Sequence, residues 1–371
     1  IGVMVLLFFS RMPIGFVMLL VGFLGFSHLR SVEKAIGMLG MAVYGSVSVY
    51  DLSVIPLFLL MGQFAFYGGL SRDFYFTMYK WLGRLPGGLA IATIGGCAGF
   101  AAVCGSSVAT AVTMGSVALP EMQKYKYDPK LAVGSIAAGG TLGILIPPSI
   151  AFVVYGIITS TPIGPLLLSG FLPGLLLAGL FMLLIYIMAR RNPTIGPPGP
   201  QASLRERLTS LKGGWGILSL FILVIGGIYS GVFTPTEGAA FGAFAALVLS
   251  LGKRSLSWQN FLDTLLSTGK TSAMIFAILI GASVFSYFIA VTKIPSLLAD
   301  TIAGLGVHRL VILSLILFMY VILGCLMEAY SMVIITMPII FPVITALGFD
   351  PIWFGVLMVI MIEMGMITPP V

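Results

Sequence analysis

Long apolar runs dominate the chain, and its polar positions are gathered between them. Runs with few charges cover 53–70, 87–120, 131–160, 165–189, 214–233, 238–252, 271–291 and 310–342. Most reach the ~20 residues that cross a bilayer as a helix. They are near-continuous rather than alternating, which excludes a membrane β-barrel. The pattern predicts an all-α polytopic membrane protein. Three shorter segments carry apolar residues at helical spacing: Trp258, Phe261, Leu262, Leu265 and Leu266; Phe74, Tyr75, Met78, Leu82 and Leu85; and Ile294, Leu297, Leu298, Ile302 and Leu305. Each reads as a helix lying on the membrane surface or as a loop helix packed on its own protein.

Composition sharpens this picture. Of 371 residues, 59% are hydrophobic and 8% charged, against roughly 25% charged in a soluble domain. The 46 glycines and 21 prolines imply spans interrupted where neighbours or water satisfy the backbone. Cys97, Cys104 and Cys325 form no CxxC, and His28 stands far from His308. That argues against a disulfide framework, a haem or a zinc site, and against an intramembrane enzyme. Both ends, at Ile1 and at Pro369-Pro370-Val371, fall in apolar runs and read as truncated.

The net charge of +7 is explained by topology rather than by a nucleic-acid partner. Fourteen of the 19 Lys and Arg lie in four stretches: Arg72, Lys80, Arg84; Lys124, Lys126, Lys130; Arg190, Arg191, Arg205, Arg207, Lys212; and Lys253, Arg254, Lys270. Basic loops face the cytoplasm. With all four there, 53–70 enters that side and 87–120 must leave and return as a re-entrant hairpin. The later runs then cross in turn. A second hairpin, 310–342, is flanked only by Lys293, Asp300, Arg309 and Asp350, so the second half starts from the opposite side. This is the signature of an inverted repeat. The implied organisation is scaffold helices and an arm (1–86), a hairpin and broken helix (87–160), further scaffold helices (161–291) with a linker at 190–212, a second arm (292–309), and a second hairpin and broken helix (310–371).

One offset of 222 residues joins four landmarks: Pro120 to Pro342, Asp128-Pro129 to Asp350-Pro351, Gly143 to Gly365, and Pro147-Pro148 to Pro369-Pro370. Each Pro-Pro pair removes two amide donors and pushes the preceding residue out of the α region. The freed carbonyls need a cavity, water or a cation, and the helix halves offer N–H groups to anions. Paired interruptions at matching positions point to a transporter binding site.

Hairpin one carries Gly105-Ser106-Ser107-Val108-Ala109-Thr110, whose hydroxyls suit a small hard cation and one end of an anion. The alternative is a small-residue packing seam. Hairpin two carries Met327-Glu328-Ala329-Tyr330-Ser331, with Glu328 at the repeat position of Ser106. A carboxylate there is costly and marks function, unless it sits at the membrane surface. Glu363 caps or braces the second break, or binds a proton or cation. Thr234 or Thr236 reads as the cap of the helix that starts there, with Glu237 suited to its positive end, and Arg11 as an interfacial residue.

These residues resemble the large membrane subunit of tripartite ATP-independent periplasmic (TRAP) transporters. The resemblance lies in Ile55-Pro56-Leu57-Phe58 through Gly62, in Gly105–Thr110 through Pro120-Glu121-Met122, and in Gly143–Ser149. Gly231-Val232-Phe233-Thr234-Pro235-Thr236-Glu237 and Thr368-Pro369-Pro370-Val371 extend it over essentially the whole chain. Many members carry an Asp-Pro-Thr-like tip in hairpin two, and the matching positions here are Glu328-Ala329-Tyr330. The resemblance implies a sodium-driven elevator in a bacterial or archaeal inner membrane. It would import an organic acid such as a C4-dicarboxylate or sialic acid. A periplasmic substrate-binding protein and a small four-helix membrane subunit would be its partners, with no cofactor beyond sodium.

By the same resemblance, Gly105, Ser106 and Ser107 with carbonyls at Gly143, Leu145 and Pro147 hold one sodium. Glu328 and Ala329 with Gly365, Ile367 and Thr368 hold another. Ser107, Thr110, Ser149, Tyr330, Ser331 and Thr368 contact the substrate between the tips, without an arginine clamp. The competing readings are a stand-alone anion symporter of a related two-hairpin fold and a passive channel.

Overall fold

The computed structural model describes residues 12–199, 201–294, 297, 307–325 and 327–368. Every regular element among them is helical. Among the described residues, seven helical stretches are long and apolar enough to cross a membrane: 50–67, 129–159, 163–191, 204–229, 235–252, 258–292 and 329–346. Arg11, Pro369, Pro370, Val371 and, in the second arm, Leu298, Ile302 and Leu305 lie outside the described residues.

The chain divides into two compact units. One comprises Val54–Val153 and Ile163–Thr268. In it, α3 (Val54–Tyr67) leads to the first arm, α4 (Leu70–Leu82). Hairpin one follows as α5 (Gly88–Cys104) and α6 (Ser107–Lys124). Next come α7 (Pro129–Gly140) and the short α8 (Leu142–Leu145). After the break, α9 (Ile150–Thr159) begins in this unit, and α10 (Ile163–Ser169) and α11 (Phe171–Arg191) follow. The unit ends with α12 (Leu204–Phe221) and α13 (Pro235–Gly252).

The first arm is packed on its own protein. Phe74 and Tyr75 are buried, the Thr77 hydroxyl donates to the Ser210 carbonyl at 2.7 Å, and the Trp81 indole donates to the Arg207 carbonyl at 3.2 Å. Lys80 pairs with Glu206 at 3.5 Å, and Asp73 pairs with Lys253. The linker is ordered against the base of hairpin one: Gly87 donates to Gly196, Asp128 to Ile195, and Gly199 to Gly83, all backbone bonds of 2.8–3.0 Å. Helix α12 starts within the predicted linker, because Ser203 and Glu206 form a capping box that satisfies amides at the helix start. Thr234 caps α13 as expected, its hydroxyl accepting the Glu237 amide while its own amide donates to the Glu237 carboxylate. A π-helical turn at Ile222–Gly226 has no signal in the sequence pattern.

The other unit comprises Ile1–Ser53, Val154–Pro162 and Gly269–Val371. It contains α1 (Ile14–Leu29), α2 (Val32–Val47) and most of α14 (Trp258–Thr292). Hairpin two is α15 (Arg309–Gly324) and α16 (Ala329–Ala346), followed by α17 (Pro351–Met366). Small residues let α1 and α14 approach closely: a Cβ on Gly15 would fall 2.7 Å from the Ala277 carbonyl oxygen. Trp258–Leu266 does not form a separate surface helix. It is the start of α14, 35 residues long and so about 52 Å, well beyond the ~30 Å hydrocarbon core. Neither of its glycines, Gly269 and Gly281, interrupts it.

Candidate functional site

Hairpin one reverses direction at Gly105, whose φ of +67° is the left-handed region that glycine enters without penalty. Ser106 is extended, and its hydroxyl accepts the Ala109 amide at 3.4 Å, so α6 starts on a serine cap. The Ser106 carbonyl accepts the Thr110 hydroxyl at 2.8 Å and the Thr110 amide at 3.0 Å. Ser107 and Thr110 are buried.

The tip is seated on the first break. A Cβ on Gly143 would fall 2.5 Å from the Ser106 carbonyl oxygen, and one on Gly105 would fall 2.7 Å from the Pro148 carbonyl oxygen. Helix α8 ends where Ile146 turns extended, as the following proline demands. The Pro147–Pro148 peptide is cis. Ser149, fully buried, restarts the helix by accepting the Phe152 amide at 3.4 Å. The structure therefore gathers Gly105, Ser106, Ser107, Gly143 and the Pro147–Ser149 segment into one small oxygen-rich locus. Leu145 is placed differently, its carbonyl oxygen lying 2.4 Å from where a Gly170 Cβ would stand. Gly62 backs the tip: its Cβ would stand 2.9 Å from the Cys104 Cα. That supporting role went unread in the sequence, although glycine in an apolar helix is its usual mark.

Hairpin two uses the same local chemistry. Glu328 caps α16, its carboxylate accepting the Ser331 amide at 3.3 Å and the Ser331 hydroxyl at 3.2 Å. Ala329, Tyr330 and Ser331 are buried. At the end of α17, the Thr368 hydroxyl donates to the Met364 carbonyl at 2.6 Å, and the Thr368 amide to the Gly365 carbonyl at 3.0 Å. The packing register differs from that of the first half. Gly365 lies against α15, the first helix of hairpin two, where its Cβ would stand 2.7 Å from the Gly324 Cα and 2.8 Å from the Val321 carbonyl oxygen. Gly324 and Val321 stand one to two helical turns before Glu328. Ile367 follows α17 directly, and Glu363 is buried within that helix. Tyr320 and Thr336 join the hairpin arms through a buried hydroxyl pair at 2.7 Å. The Tyr155 hydroxyl of α9 donates to the Pro351 carbonyl at 2.7 Å.

A first acceptor is thus built from neutral hydroxyls and carbonyls around Ser106, and a second, with one carboxylate, around Glu328. Among the described residues no cluster of His, Cys, Asp and Glu could hold a metal ion. Hydroxyl, carbonyl and carboxylate oxygens are hard donors, of the kind that small hard cations take.

Comparison with known proteins agrees over the whole chain. The family described as "Tripartite ATP-independent periplasmic transporter, DctM component" matches residues 1–371. The C4-dicarboxylate TRAP transporter large permease protein of Pseudomonas aeruginosa is 41% identical over 324 residues, covering 87% of this chain and 75% of its own. The sialic acid large permease protein of Vibrio cholerae is 32% identical and covers 98% of this chain and 84% of its own. The isethionate permease protein DctMQ of Oleidesulfovibrio alaskensis is 35% identical over 88% of this chain, which spans 52% of that longer protein. The solved structure of the Alcanivorax borkumensis YdaH transporter superposes with a TM-score of 0.61 at 16% identity, over 91% of this chain and 79% of that one. At that identity the likeness speaks for the fold alone.

Proposed function

We propose that this chain, which belongs to the family of DctM components of tripartite ATP-independent periplasmic transporters, imports an organic acid across the inner membrane by sodium-coupled elevator movement. The observation that carries the reading is the seat of the Ser106 tip on the Gly143 break. It places a neutral hydroxyl and several backbone carbonyls together within a buried, largely apolar hairpin. A sodium ion satisfies such oxygens without needing a buried counter-charge. Ser106 and Ser107, with carbonyls beside Gly143 and at the Pro147-Pro148 break, form the first ion site. Glu328, Ala329 and the Gly365–Thr368 segment form the second.

The substrate carboxylate is taken by hydroxyls and helix N-termini at the tips, where the helix dipole favours negative charge. Ser107, Thr110, Ser149, Tyr330, Ser331 and Thr368 are the assigned contacts. Relatives named for C4-dicarboxylates and sialic acid make a C4-dicarboxylate the first acid to try. A periplasmic binding protein delivers it, and a small membrane subunit completes the transporter. The fused name DctMQ of one relative supports that second partner. The test is uptake by the complete complex in liposomes, with and without the binding protein. Uptake of free substrate at the same rate without it would favour a stand-alone symporter.

A further inference from the structure

The first break is held from two sides. On one side stands the tip of hairpin one, against Gly143 and the Pro148 carbonyl. On the other stands the start of α11, and there too the contact is made through glycine. A Cβ on Gly174 would fall 2.5 Å from Ile146 Cγ1. One on Gly170 would collide with the Leu145 carbonyl oxygen and stand 2.5 Å from the Phe152 ring. Leu145 and Ile146 precede the two prolines and Phe152 follows them, so α11 touches both flanks of the break. All three residues are buried. Gly170 and Gly174 stand about one helical turn apart, the spacing that lets a helix approach closely.

This contact also accounts for the position of Leu145. Helix α8 ends there, and the nitrogens of Pro147 and Pro148 carry no hydrogen to continue its ladder. The Leu145 carbonyl turns instead to Gly170, the N-cap of α11. The positive end of that 21-residue helix favours an oxygen. The distance between the break and the Ser106 tip is then set by how deeply α11 seats behind it. On the tip side, a Cβ at Gly143 or Gly105 would already meet backbone at 2.5–2.7 Å, so that side has no slack. A push from α11 is passed on to the oxygens rather than absorbed, as in any close-packed interior.

We propose that Gly170 and Gly174 are positioning residues for the cation at the Ser106 locus. They seat α11 against Leu145 and Ile146 and so fix how far the carbonyls of the break stand from the tip. The inference rests on the sodium site proposed above and adds to it two residues that are not ligands.

The test is sodium-dependent uptake by the complete complex in liposomes, read as the half-saturating sodium concentration beside the maximal rate. Gly174→Ala should raise that concentration roughly five- to 150-fold, the equivalent of overpacking strain, with a smaller fall in the maximal rate. Ile146→Ala removes the Cγ1 that the new methyl meets, and the other nearest contacts of a Gly174 Cβ are at 3.5 Å. The double variant should therefore fold, with the sodium requirement of Ile146→Ala alone. Gly170→Ala meets the Leu145 backbone, so Ile146→Ala should not relieve it. Gly179→Ala, on the same helix with nothing within 4 Å of its Cβ, is the control and should match wild type. Protection of the purified complex against heat by added sodium should give the same ranking without transport. A half-saturating concentration unmoved by Gly174→Ala and Gly170→Ala, with only yield or maximal rate reduced, would overturn the inference and leave the sodium site standing. So would an effect of Gly174→Ala that Ile146→Ala does not relieve, or a double variant that fails to fold. Wild-type uptake indifferent to sodium would overturn the site and the inference together.

Discussion

Ser106 and Glu328 stand 222 residues apart and cap the second arms of their hairpins in the same way. Each side-chain oxygen accepts the amide three residues on, from Ala109 and from Ser331. A neutral hydroxyl does the work in one half, and a carboxylate, favoured by the positive helix end, in the other. Replacing either by alanine removes a cap worth about 0.5–2 kcal/mol. Glu328→Gln keeps an acceptor at the cap and removes the charge, so it separates capping from ion binding. We expect its melting temperature to stay near wild type while the sodium concentration for half-maximal uptake rises. Equal loss of stability and uptake in Glu328→Gln and Glu328→Ala would leave the carboxylate a structural role only.

Gly143 and Gly365 are expected to be intolerant of any side chain. A Cβ at either would stand 2.5–2.7 Å from backbone atoms of the hairpin it packs on, and backbone cannot rotate away. Gly143→Ala and Gly365→Ala should each destabilise by about 1–3 kcal/mol, as overpacking does. Thermal unfolding of the purified protein reads this directly. Gly134→Ala on α7, where the Cβ meets nothing within 4 Å, is the neutral control.

The inverted repeat predicts opposite exposure for matching loops. In a background free of Cys97, Cys104 and Cys325, one cysteine replaces Lys124 and, separately, Ala346; both positions are exposed at the ends of hairpin arms. An impermeant thiol reagent outside intact cells should modify Ala346→Cys at once and Lys124→Cys only after permeabilisation. Modification of both from outside would break the repeat.

Much of this architecture could be read from residues whose local chemistry is self-contained. Asp128 and Asp350 precede prolines at the common offset, and both are caps: Asp128 accepts the Lys130 amide and Asp350 the Trp353 amide, each at 2.8 Å. Glu237 and the proline break after Gly143 were legible for the same reason. What escaped depends on tertiary packing. The equal spacing of Gly143 and Gly365 conceals different seats, one at the hairpin tip and the other one to two turns down its first arm. The amphipathic stretch at Trp258 gave no hint that it continues into a membrane span, because periodicity marks a face and not an end. The π turn at Ile222–Gly226 keeps the apolar pattern of its helix and leaves no trace in it.

Sodium coupling through the Ser106 locus, proposed above, makes uptake depend on the sodium concentration. The decisive measurement is the sodium dependence of C4-dicarboxylate uptake by the complete complex in liposomes at fixed pH, for wild type and Ser106→Ala. Losing one ligand at about 1–3 kcal/mol should raise the half-saturating sodium concentration roughly five- to 150-fold, while folded yield changes little. Wild-type uptake that is unchanged when sodium is replaced by potassium or choline would rule out sodium coupling.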